Sequence, residues 1–142
     1  MFKHILVVCD GNICRSPTVE NMLAQRTNKT VSSAGLIALV GNEMDATARE
    51  VAAENGLECK PHSGTKLTRE LCRQADLILV MEQRQKDRIG EMAPEASGKT
   101  MLLGKWLGDK EVPDPFKRSR EVYEQAYKIM DEAVNKWVKR LQ

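Results

Sequence analysis

The sequence predicts one doubly wound α/β domain over residues 1–142, with a four-stranded parallel sheet and helices on both faces. Three observations carry that expectation. Residues 3–35 read as strand, loop, helix and strand, which is a βαβ unit. The runs Ile5–Val8 and Ala75–Met81 are strand signals, and the first lacks the polar alternation of a half-exposed strand. Residues 119–140 place Val122, Ala126, Ile129, Ala133 and Trp137 along one helical face.

The elements follow in order. Residues 3–8 make the first strand, and Pro17 to Arg26 make a helix with Val19, Met22 and Leu23 at helical spacing. Pro17 suits the first helical position, where its missing N–H costs nothing. Thr30–Ser33 forms a short second strand running into Ser33-Ala34-Gly35. A looser apolar segment, 36–44, turns at Gly41-Asn42, and Asp45 or Thr47 caps a helix that Gly56 stops. Thr68–Leu71 starts a short helix, Ala75–Met81 is the strongest strand, and Glu82 to about Met92 is a charged helix closed by Ala93-Pro94. Lys99–Leu103 is the fourth strand, and a loop carrying Val112-Pro113-Asp114-Pro115-Phe116 leads to the last helix.

Composition narrows the function. With 42% hydrophobic and 30% charged residues over 142 positions, the chain supports one core rather than two. A net charge of +2 gives no case for nucleic acid. No apolar run approaches the roughly 18 residues of a membrane span, and the N-terminus enters a strand directly, so no membrane insertion and a cytoplasmic location are expected. Four cysteines form no CxxC pair, and neither histidine stands at metal-ligand spacing from one, so no metal or cofactor is expected.

The stretch Cys9-Asp10-Gly11-Asn12-Ile13-Cys14-Arg15-Ser16-Pro17 concentrates the chemistry. Gly11 and Asn12 tolerate backbone shapes that other residues avoid. A loop curling into a helix N-terminus turns several N–H groups toward one spot, which makes an anion site. Arg15 adds a planar fork suited to phosphate. A cysteine in such a loop is favoured as thiolate. The combination suggests phosphoryl transfer through cysteine.

The same stretch resembles the signature of low-molecular-weight protein tyrosine phosphatases. The likeness extends to Ser-Ala-Gly after the second strand and to the Asp-Pro-aromatic loop before the last helix. Met92–Glu95 and Lys99–Leu103 look most like bacterial members encoded with capsule or exopolysaccharide systems, which act on an autophosphorylating membrane tyrosine kinase. The resemblance implies Cys9 as nucleophile, Arg15 as phosphate ligand and Asp114 as the acid that protonates the leaving group. The N–H groups of Asp10, Gly11, Asn12, Ile13, Cys14 and Arg15 would complete the cradle. Ser16 would contact the Cys9 thiolate, or would be a plain helix cap. Asn12 would hold the loop with support from Ser33 and His62. Ile13, Leu39 or Val40, and Phe116 would wall a slot for a phenyl ring. Related phosphoarginine phosphatases carry threonine where this chain has Ile13, so phosphotyrosine is the expected substrate, presented by a kinase's cytoplasmic tail to a monomeric enzyme.

Four further expectations follow. Cys14 is close enough in sequence to Cys9 for a reversible disulfide, or is a packing residue. Cys59 and Cys72 are expected to be buried and inert. Tyr123 and Tyr127 read as helix-surface residues without a role. Asp10 departs from the family, is expected to point to solvent, and would weaken phosphate binding slightly or favour basic peptide neighbours. Two rivals use the same loop. An arsenate reductase of this fold needs two further cysteines after the third strand, but none follows Cys72. A non-catalytic phosphate-binding module would need neither Cys9 nor Asp114.

Overall fold

In the computed structural model, which describes residues 2–142, the apolar runs become the middle of a parallel sheet. β1 (His4–Cys9) is flanked by β2 (Thr30–Gly35) and β3 (Leu77–Val80), and β4 (Thr100–Leu102) lies outside β3. All three pairings are parallel, with Cys9 opposite Gly35 and Val8 opposite Val80. The chain moves outward from β1 to β2 and then returns to β3. The carboxyl end of β1 is therefore the point where winding reverses, and such sheets bind ligands there.

Alternation along β1 and β3 feeds two cores. Ile5, Val7, Leu77 and Leu79 join one core. It also takes Val19, Met22 and Leu23 of α1 (Arg15–Arg26) and Ala48 and Val51 of α2 (Ala46–Glu54). Tyr123, Ala126, Met130, Val134 and Trp137 of α5 (Arg120–Leu141) complete it. Leu6, Val8, Ile78 and Val80 face the opposite core with Cys72 of α3 (Arg69–Gln74) and Ile89 of α4 (Gln83–Met92). Helices thus cover both faces. Trp137 pins α5 to the sheet, its Nε1 donating to the Leu103 carbonyl at 2.9 Å.

Local chemistry sets the ends. Asp45 caps α2 by accepting from the Ala48 N–H, and Thr68 caps α3 through the Leu71 N–H. Gly56, at φ +82°, follows α2 as a left-handed stop. Glu82 and Gln85 form a reciprocal capping box on α4. Strands β3 and β4 are shorter than the apolar runs that announce them, and β2 is longer. Two 3₁₀ turns, Pro94–Lys99 and Lys105–Leu107, flank β4 and have no helical period to mark them.

Three expectations are corrected. Helix α1 begins at Arg15, so Pro17 is its third residue, still within the first turn where an N–H is not needed. Tyr123 and Tyr127 are 5% and 7% exposed, because their face of α5 packs on the core rather than on solvent. Burial, together with a hydrogen bond to the Asp45 carboxylate, pushes the Tyr123 phenol up. Cys72 is buried, but Cys59 is only partly so.

Candidate active site

Residues 9–15 connect β1 to α1 as a closed turn whose outer surface is fully engaged. The Cys9, Asp10 and Gly11 carbonyls accept from the N–H groups of Leu36, Ile37 and Leu39 at 2.9–3.0 Å. The Ile13 carbonyl accepts from Asp45 N–H, and the Cys14 carbonyl from Thr18 Oγ1, both at 2.8 Å. His62 Nε2 contacts the Asn12 carbonyl at 2.5 Å, and since a carbonyl only accepts, Nε2 carries the proton. No peptide among the described residues is cis. In a trans unit the next N–H points opposite the carbonyl. With the carbonyls drawn outward, the N–H groups turn inward, and α1 offers no side-chain cap that would use them. Gly35 permits this packing, since a Cβ there would stand 2.4 Å from the Asp10 carbonyl oxygen.

A buried chain of neutral groups holds the inside. Asn12 sits at φ +58°, left-handed backbone that asparagine tolerates better than most residues. Its Oδ1 accepts from Thr65 N–H at 2.8 Å, which orients the amide. Nδ2 then donates to Ser16 Oγ at 2.7 Å and Ser33 Oγ at 3.0 Å. Ser33 passes its own proton to Glu20 Oε1 at 2.5 Å. Ser16 Oγ, which accepts from Asn12, also lies 3.0 Å from Cys9 Sγ, where its hydroxyl donates whenever the sulfur is a thiolate. Between the two readings of Ser16, the geometry favours the sulfur contact over a helix cap.

Arg15 is 1% exposed and surrounded by acids. Nη1 donates to Glu82 Oε2 at 2.5 Å and to the Val112 carbonyl at 2.9 Å. Nη2 lies 3.4 Å from Asp10 Oδ2 and 3.7 Å from Asp114 Oδ2. Burial works against the guanidinium charge, but Cys9, Glu82 and Asp114 more than restore it. Asp114 is stiffened by its flanking prolines and accepts from the Phe116 N–H at 3.1 Å. Asp114 lies 99 positions from Arg15 and 105 from Cys9 along the chain, and only the fold joins them to one cavity.

A family model described as Low molecular weight phosphotyrosine protein phosphatase matches residues 4–142. The chain belongs to this family. It is 48% identical to the low molecular weight protein-tyrosine-phosphatase Etp of Escherichia coli K12, over 99% of this chain and 95% of Etp. A structure of Vibrio vulnificus Wzb in complex with benzylphosphonate superposes at TM-score 0.95, with 50% identity and 99% of each chain covered. A structure of the YwlE arginine phosphatase from Geobacillus stearothermophilus superposes at 0.92, with 34% identity, covering 100% of this chain and 94% of that one.

In this phosphatase the cavity over the loop holds about 200 Å³ and is lined by Cys9, Asp10, Gly11, Ile13, Cys14, Arg15, Ile37, Leu39, Asp114 and Phe116. Leu39 is the wall residue of the expected pair; Val40 is 67% exposed and outside the lining. Ile37 joins the wall instead, from the turn that follows β2, and no period in the sequence marks it. Cys14 is buried beside Asp45 and Tyr123, and burial first, then Asp45, pushes its thiol up.

Asp10 does not point to solvent as expected. Its carboxylate receives Arg84 through both guanidinium nitrogens, at 3.1 Å and 2.5 Å, and the buried Gln85 Nε2 at 3.0 Å. Burial works against its charge, yet these donors and Arg15 hold the carboxyl below the usual range. Glu82, Arg84 and Gln85 were missed as site residues. The spacing of Glu82 and Gln85 marks a capping box, but nothing in it shows that the helix starts against the loop. Among the described residues no group of three or more metal-ligating side chains occurs.

Proposed function

We propose that residues 1–142 act as a single phosphatase domain that hydrolyses phosphotyrosine through a phosphocysteine intermediate. The observation that carries the reading is Cys9 Sγ at 3.0 Å from Ser16 Oγ, inside a loop whose carbonyls are bonded outward. Inward N–H groups and Arg15 bind the three non-bridging phosphate oxygens and stabilise their charge as it redistributes. Cys9 Sγ attacks phosphorus in line. The S–P bond forms as the P–O bond to the phenol breaks, and Asp114 gives its proton to the departing oxygen. Asp114 then takes a proton from water. The water oxygen attacks phosphorus, the S–P bond breaks, and Cys9 leaves as a thiolate met by the Ser16 hydroxyl.

Ile13, Ile37, Leu39 and Phe116 form an apolar slot suited to a phenyl ring, and Ile13 stands where threonine is expected for phosphoarginine. The physiological substrate proposed is the phosphorylated cytoplasmic tail of an autophosphorylating tyrosine kinase of exopolysaccharide or capsule synthesis. Similarity to Etp and Wzb and the segments at 92–95 and 99–103 support it. Turnover of p-nitrophenyl phosphate should vanish in Cys9→Ser and fall about 10²- to 10⁴-fold in kcat in Asp114→Ala. Wild type with no turnover would overturn the enzymatic reading. Preference for phosphoarginine over phosphotyrosine peptides would overturn the substrate, and failure of Cys9→Ser to retain a phosphorylated kinase tail would overturn the partner.

A further inference from the structure

Asp10 raises a physical problem: a carboxylate stands in a loop built for an anion, with Oδ2 3.4 Å from Arg15 Nη2. Left to itself, it would swing onto that guanidinium and occupy the donor a phosphate needs. It makes only a long hydrogen bond there, and shorter ones pull it the other way. Arg84 meets both carboxylate oxygens, and its contact to Oδ2 is 2.5 Å, far shorter than that of Arg15. Gln85 adds a bond to Oδ1, and its own carbonyl is locked by the N–H groups of Met81 and Glu82. The start of α4 therefore acts as a bracket on this one side chain.

We infer that Arg84 is a positioning residue for anion binding, whose two-pronged grip on Asp10 keeps the carboxylate off Arg15 and leaves that arginine to the phosphate. This rests on reading the loop as the phosphate site. Arg84 is more than half exposed and absent from the cavity lining, so it acts through Asp10 rather than on the substrate. It also contacts Glu82, at 3.1 Å, but that contact is common to backgrounds with and without the Asp10 charge and cancels between them.

The test is a double-mutant cycle read as the competitive inhibition constant of inorganic phosphate and the KM for p-nitrophenyl phosphate. Arg84→Met should raise both about three- to tenfold, with a smaller change in kcat. In an Asp10→Asn background the same substitution should change them less than about twofold. Arg84→Lys, which keeps the charge and loses the fork, should fall between. Equal rises in both backgrounds would make Arg84 a plain positive charge and overturn the inference, as would no rise with Asp10 present. Wild-type turnover that phosphate does not inhibit would remove the phosphate-site reading itself, and the inference with it.

Discussion

The two flanks of the loop solve opposite problems with opposite materials. On the β2 side, Asn12, Ser33 and Ser16 form a largely buried relay of neutral groups that ends on Cys9 Sγ at one end and on Glu20 at the other. On the α4 side, Asp10, Glu82, Arg84 and Arg15 form a charged cluster that is open to water at Arg84. Neutral bonds in a dry setting are directional and insensitive to salt, so they suit the task of aiming one hydroxyl at one sulfur. Ion pairs at an exposed rim are weaker and screened. They suit a balance of charge that an arriving dianion must shift. On the proposed mechanism the relay would shape the chemical step, and the rim would shape affinity.

Substitutions that break the relay should have the largest effects. Asn12→Ala would remove the partner of the Thr65 N–H, free Ser16 and Ser33, and place alanine at φ +58°. The lost hydrogen bond costs about 1 kcal/mol and the left-handed backbone about 1–2 kcal/mol. The expected loss is on the order of 3 kcal/mol by denaturant unfolding, accompanied by a fall in kcat. Ser16→Ala should keep the fold, since Asn12 retains Ser33 and Thr65, and should lower kcat about 10²-fold. Without that hydroxyl, the thiolate is a poorer leaving group, so the second step slows most. A burst of p-nitrophenol followed by slow turnover would show it. Equal slowing of burst and steady state would place Ser16 outside the relay.

This asymmetry also explains what could be read in advance. The sheet was legible because Ile5–Val8 and Leu77–Met81 are continuous apolar runs, and the relay because Cys9, Asn12 and Ser16 lie in one short stretch. The Leu39 wall was only half legible: the residue type was clear, but the turn that brings in Ile37 and sends Val40 outward needs the backbone path. The rim was illegible. Asp10 and Arg84 are 74 positions apart, and a lone aspartate in a loop has no local partner to point away from solvent. Only β1 pairing with β3 sets the start of α4 against the loop. Tyr123 was misread for a similar reason, since α5 buries more of its circumference than a single stripe.

The smallest effect expected is also the one that isolates the rim. In the folded chain the Asp10 carboxyl is held below its usual range: burial opposes this, and Arg84, Gln85 and Arg15 prevail. The ionised form therefore stabilises the fold above the unfolded carboxyl value near 4, and that contribution drains as pH falls through the lower folded value. Asp10→Asn should cost less than about 1 kcal/mol at pH 7, because Arg84 is well solvated. The gap between variant and wild type should narrow as pH falls below the usual carboxyl range and the Asp10 carboxylate takes up its proton. Asp76, Glu43 and Glu95, also shifted downward, titrate alike in both proteins and cancel from the difference. Thermal unfolding across this pH range measures it. A gap that stays constant into acid would mean that shape rather than charge sets the contribution of Asp10, and the rim would then differ from the relay only in exposure.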